Sequence, residues 1–130
     1  MARKVACHRS PRRWELLYRL LWRITGGEKK LLHNAVVNPV SALTGLTCRE
    51  LLDDEACQAF MRSCCLEIIE VMRARGVPIV DEEDPYRPVI GSQKALGKNR
   101  PSMWQDLSRG LPTEIDAING AIVDEAHRLD

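Results

Sequence analysis

Only one stretch of this chain, Val77-Pro78-Ile79-Val80, has the short, β-branched character of a strand. One strand cannot build a sheet, so the other segments must fold as helices or loops. Their apolar residues recur at helical spacing, and the sequence predicts an all-α helical bundle. Residues 54–75 carry the longest such pattern, with Phe60, Cys65, Leu66, Ile69 and Met72 as the expected buried stripe and Gly76 placed for a C-cap. A helix over 28–44 precedes it. Another is expected over 82–96, interrupted near Pro85 and Pro88, and a short turn or helix over 102–109. Gly110 and Pro112 then separate a last helix beginning at Thr113. The Thr113 hydroxyl is expected to cap it, with Asp116 at the third helical position and a stripe of Ile115, Ile118, Ile122 and Ala126. The chain has 130 residues and no internal repeat, which fits one ordinary domain.

Charge divides the chain more sharply than hydropathy does. Residues 1–30 carry nine Lys/Arg and two acids, whereas residues 31–130 carry ten Lys/Arg and sixteen acids. Trp14, Leu17, Leu21 and Ile24 give the basic start an amphipathic helical pattern, ended by Gly26-Gly27. The expected organisation is a basic segment over 1–27 and a helical domain over 28–130. An Arg-rich, acid-poor start fits a basic surface helix or a mitochondrial presequence, and the expected location is the cytoplasm. The net charge of +1 does not suggest a nucleic-acid binder, and no apolar run approaches the ~18 residues of a membrane helix. Cys7, Cys48, Cys57, Cys64 and Cys65 are odd in number and form no CxxC pair, as expected of reduced thiols in a cytosolic protein. No metal site is expected, since His8, His33 and His127 lack ligand spacing. The eight glycines form no GxGxxG, so no dinucleotide-binding fold is expected within the chain.

The segment KLLHNAVVNPVSAL, residues 30–43, departs from an ordinary surface helix. Stepping ~100° per residue puts Lys30, Asn34, Val37, Asn38 and Ser41 on one side. Leu32, Ala35, Val36, Pro39 and Leu43 fall on the other, as a core face. Lys29 sits ~100° round the helix from Lys30 and is expected to lie off the polar line. Two asparagines and a proline weaken a helix in three places, an inconsistency that suits a functional surface, with an exposed polar stripe as the alternative. One cation and two amide forks along a line suit a small ligand bearing a carboxylate and hydroxyls or a carbonyl. A complement lies in SMWQDLSRGLPTEIDAING, residues 102–120. There Ser102 begins a short helix and Glu114 lies at the start of the last one, where the helix dipole stabilises its ionised form.

KLLHNAVVNPVSAL at 30–43, REL at 49–51, NRPSMWQDL at 99–107 and PTEIDAING at 112–120 together resemble the C-terminal domain of ketopantoate reductases (2-dehydropantoate 2-reductases). They stand in the order of that family's K-L-x-x-N-x-x-x-N-P, N-x-x-S-M-x-Q-D and T-E-I-D-x-I-N-G signatures, over roughly residues 28–130. The resemblance implies an all-α domain of the kind found in ketopantoate reductase and 6-phosphogluconate dehydrogenase-like proteins. Such a domain works beside a Rossmann domain that binds NADPH, and that partner domain is expected in cis or in trans. By position, Lys30 matches the catalytic lysine. Asn34, Asn38, Asn99 and Ser102 match substrate-binding residues. Glu114 matches an acid contacting both substrate and cofactor. The implied reaction is NADPH-dependent reduction of the 2-keto acid ketopantoate to pantoate, on the route to pantothenate and coenzyme A. Glu28, His33 and Cys48 stand where the family commonly has Trp, a small or apolar residue, and Asn. The chain also stops short of the family's usual final helix. A homodimerising module, an inactive fragment and a reductase of another 2-keto acid are the alternatives the sequence leaves open.

Overall fold

The computed structural model describes residues 27–129, and the expected helix over 14–24 lies outside them. The described residues form helices without a strand, as the sequence predicts. Helix α1 (Glu28–Leu32) runs into a π-helical segment (His33–Val37), which runs into α2 (Asn38–Thr44). Then follow α3 (Cys48–Asp53), α4 (Glu55–Ala74), α5 (Arg87–Leu96), α6 (Ser102–Ser108) and α7 (Ile115–Leu129). The π segment lies at the centre, touching α4, α5 and α7, while α2 packs on α6 and α3 packs on both α4 and α5. Among the described residues no helix is long and apolar enough to cross a membrane.

Local chemistry sets the element ends. Thr47 and Glu50 form a reciprocal capping box at α3: the Thr47 hydroxyl accepts from the Glu50 N–H, and the Glu50 carboxylate accepts from the Thr47 N–H. These bonds hold the Glu50 carboxyl below its ordinary pKa. Asp54 caps α4 by accepting from the Cys57 N–H at 2.8 Å. At the far end Gly76 takes φ 68°, the Gly76 N–H bonds the Arg73 carbonyl, and the Val77 N–H bonds the Met72 carbonyl. That is a Schellman stop, and it needs a glycine at the left-handed position. Pro88 falls in the first turn of α5, where a missing N–H is harmless, so the expected interruption becomes a start. Helix α7 begins at Ile115, two residues later than the expected Thr113 cap.

The stripe that α4 buries is Met61, Cys65, Ile68, Ile69 and Met72. Phe60 and Leu66, expected inside, are 58% and 43% exposed. The 61-65-68-72 spacing is the one that faces α7 and the π segment, and both misassigned residues flank it. In the same way Ile115 and Leu43 lie outside the core, Leu43 at 84% exposure. The Val77–Val80 stretch is not a strand. It is extended coil that buries Val77 and gives the Val80 N–H to the carboxylate of Glu28, itself buried at the start of α1. Desolvation raises the Glu28 pKa.

Pro39 explains the π segment. In an α-helix its ring would clash with the carbonyl four residues back, Ala35, and it has no N–H to offer that carbonyl. A wider turn, with the Asn38 N–H bonded to the His33 carbonyl five residues back, relieves the clash. The missing donor comes from the other end of the chain: the Asn119 side chain on α7 donates Nδ2–H to the Ala35 carbonyl at 2.7 Å. Asn119→Ala is therefore expected to lower stability by about 1–2 kcal/mol, the cost of a stranded buried acceptor. In a Pro39→Ala background the restored N–H at position 39 supplies a donor, and the same substitution should lose less. Urea denaturation of the four proteins of this cycle checks the coupling, and strictly additive losses would show that Asn119 does not replace the proline's donor.

Candidate functional site

Helix α1, the π segment, α5 and the 97–102 loop line an open cavity of about 620 Å³. Lys30, Asn34, Asn38, Asn99 and Ser102 all line it, so the structure brings together residues from two stretches some sixty positions apart. Glu114 is not among the lining residues. It is exposed, one residue before α7, and its carbonyl accepts from the Ile118 N–H.

The π turn aligns the first three. A four-residue step in an α-helix overshoots a full turn by ~40°, so Lys30, Asn34 and Asn38 would spiral away from one another. An i→i+5 turn holds more residues and cancels that drift. Asn38 is 4% exposed and donates Nδ2–H to Asn34 Oδ1 at 3.2 Å. Its own Oδ1 is buried without a partner among the described residues. The pair thus leaves Asn34 Nδ2 as a donor, with Asn38 Oδ1 a buried acceptor behind it. Ser41, on the same face by spacing, turns away to donate to the Leu46 carbonyl at 2.6 Å and is fully buried.

The opposite wall is held by backbone. The first N–H groups of α3 have no partner within their own helix. Cys48 N–H takes the Asn99 carbonyl at 3.1 Å, and Arg49 N–H takes the Gly97 carbonyl at 2.8 Å. Both bonds pin the loop that carries Asn99 and Ser102. Arg100 in the same loop lies 4.7 Å from the Trp104 ring centroid and donates Nε–H to the Gly45 carbonyl at 3.3 Å. Gly45 ends α2 at φ 74°, a conformation that favours glycine.

The lining carries Lys29, Lys30 and Arg100, and no Asp or Glu. Lys29, expected to lie off the polar line, reaches the same cavity, because a long, flexible side chain at the rim spans the ~100° between neighbouring positions. Sequence reasoning also missed Arg100 and Ser92, whereas Cys48 lines the cavity at the position where the resemblance places an asparagine. Arg100 and Gln105 sit inside a motif it had singled out, but Ser92 on α5 has no signal except tertiary placement. Cys48 is buried, and desolvation pushes its thiol pKa up, so it meets the cavity as a neutral group.

His33 also lines the cavity at 7% exposure, and its Nδ1 lies 2.7 Å from Ser92 Oγ. Burial drops its pKa to about 4. A folded pKa below the unfolded one stabilises the fold above pH ~6.5, and that stability is lost as pH falls towards 4. The shift corresponds to about 3 kcal/mol at most. Stability measured by denaturant titration should fall between pH 6.5 and 4 more steeply in the natural chain than in His33→Leu. Parallel curves would show that His33 titrates normally.

The family model described as "Ketopantoate reductase PanE/ApbA C terminal" matches residues 27–130. A 2-dehydropantoate 2-reductase of Mesorhizobium japonicum is 37% identical over 101 residues, covering 78% of this chain and 30% of that protein. The Bacillus subtilis enzyme of the same name is 36% identical over 109 residues, 84% of this chain and 33% of the relative. That of Archaeoglobus fulgidus is 34% identical over 94 residues, 72% of this chain and 31% of the relative. The chain spans about a third of the length of these relatives. A helical domain with Lys30, Asn34, Asn38, Asn99 and Ser102 around one cavity, and a family match from Gly27 onward, give one conclusion: the chain belongs to the ketopantoate reductase family and corresponds to its C-terminal domain.

Proposed function

We propose that this domain binds a small 2-oxo acid, ketopantoate by family, and supplies the catalytic lysine for its NADPH-dependent reduction to pantoate. The observation that carries the reading is the cavity lining. Amides from two separated segments and three cations converge there without an acid, a composition suited to an anionic, oxygen-rich ligand. The chain offers no glycine-rich phosphate cradle, so the nucleotide belongs to a Rossmann domain supplied in cis or in trans. NADPH supplies the hydride; the residues described here act on the acceptor.

Lys29 and Arg100 meet the carboxylate, with Arg100 held in place by Trp104 and the Gly45 carbonyl. Asn34, Asn99 and Ser102 orient the oxo-acid head. Lys30 faces the keto oxygen. As the carbonyl carbon is reduced, charge builds on that oxygen, and a fixed ammonium stabilises the transition state more than the ground state. The same ammonium then gives the alkoxide its proton. Glu114 lies apart from the cavity lining, and a role for it requires a second domain closing over the start of α7. The basic residues 1–26 lie ahead of the family match, and on this reading the protein acts in the cytoplasm.

The 130-residue chain alone is expected to oxidise no NADPH in the presence of ketopantoate. Fused to a family Rossmann domain it should do so, and Lys30→Ala in that fusion should lower kcat about a hundredfold, the ~3 kcal/mol typical of one transition-state charge contact. Lys29→Ala should instead raise KM with a smaller effect on kcat. Steady-state kinetics on the three fusions decides the matter. An unchanged kcat in Lys30→Ala would remove Lys30 from the chemistry.

A further inference from the structure

The cavity is rich in donors: the Lys29, Lys30 and Arg100 cations and the Asn34 amide. Against these stand two acceptors on one wall. The first is Asn38 Oδ1, buried and without a partner. The second follows from a hydrogen-bond chain. Ser92 Oγ has one hydrogen, and it goes to the Val89 carbonyl at 2.8 Å, one turn back on α5. Only lone pairs remain on Ser92 Oγ towards His33. In this arrangement the proton of the 2.7 Å contact belongs to His33 Nδ1, one of the two tautomers that fit the distance. Nε2 is left with its lone pair, and it makes no hydrogen bond among the described residues. The charged and titratable groups that line the cavity with the ring are Lys29 and Lys30 from α1, Arg100 from the loop and the Cys48 thiol from α3. None is a carboxylate that would favour a protonated ring, and the depressed pKa agrees with a neutral imidazole.

Both residues line the cavity. The Asn38 N–H bonds the His33 carbonyl, and this π turn narrows the angle between the two positions. In an uninterrupted α-helix, positions five apart diverge by ~140°, and one of the two would leave the cavity.

Resting on the reading of this cavity as a 2-oxo acid site, we infer that His33 Nε2, backed by the buried Asn38 Oδ1, forms an acceptor wall that takes a hydroxyl of the substrate. His33, oriented by Ser92, is the residue by which this chain selects hydroxylated 2-oxo acids over their alkyl counterparts. A hydroxyl that donates into this wall satisfies a buried acceptor. A methyl in its place leaves that acceptor desolvated and unpaired, and the penalty falls on the alkyl acid alone.

The test uses the full chain labelled with 15N and two acids of one skeleton: 4-hydroxy-3,3-dimethyl-2-oxobutanoate and 3,3-dimethyl-2-oxobutanoate. Imidazole 15N spectra at pH 7 should show the Nδ1–H tautomer in the free protein. The hydroxylated acid should move the Nε2 resonance and bind about fivefold more tightly than the alkyl acid, as one added hydrogen bond allows. His33→Val should reduce that preference by at least about threefold. Ser92→Ala keeps the ring but removes its anchor, and it should both mix the tautomers and reduce the preference. An Nε2–H tautomer in the natural chain, or an unchanged preference in both variants, would overturn the acceptor wall while leaving the 2-oxo acid site intact. Absence of any amide shift at Lys30, Asn34 and Asn38 with either acid would overturn both.

Discussion

One hydrogen bond, from the Asn119 side chain to the Ala35 carbonyl, lets a proline sit in the middle of the helix that carries the site. Without a donor from outside, Pro39 would leave a carbonyl stranded where the bundle is densest. With it, the chain opens into a π turn instead of breaking. The π turn then does two things an α-helix could not. It keeps Lys30, Asn34 and Asn38 in line, and it turns His33 and Asn38 towards one cavity. Because Asn119 lies on α7, the last helix of the fold sets the geometry of the first.

The second half of the site is held by a different device. The loop over 97–102 has little apolar weight of its own. Its carbonyls at Gly97 and Asn99 fill vacancies at the start of α3, and its Arg100 is clasped between Trp104 and Gly45. The two halves therefore rest on backbone groups that helices leave unpaired: an acceptor in the interior of one helix and donors at the start of another. The polar chemistry of the cavity inherits its precision from these completed ladders.

Much of this was legible in the residues. Helical spacing gives the all-α class, and the odd asparagines of 30–43 mark one wall of the cavity. The motif at 99–107 marked the wall across from it. What escaped has physical causes. A fixed 100° step ignores the reach of a long side chain and cannot anticipate a π turn, so it puts Lys29 off the cavity and Ser41 on it. Periodicity finds a stripe but not which of two adjacent stripes meets a neighbour, and Phe60 and Leu66 were assigned inside on that account. Ser92 and Asn119 act across 59 and 84 positions, and no local pattern reports such distances. Glu114 is in a recognisable motif, yet the described residues leave it outside the cavity lining.

The cation-only lining of the cavity has a consequence for turnover. Reduction of a 2-oxo acid changes the oxidation level of one carbon and leaves the carboxylate untouched. On the proposed reading, Lys29 and Arg100 attract substrate and product with the same force, so charge draws the acid in but gives it no reason to leave. Release must be governed by the one oxygen that changes, and by how far a hydroxyl there loosens its hold on Lys30. Such a site is built for product inhibition, and its throughput depends on whatever removes the hydroxy acid downstream.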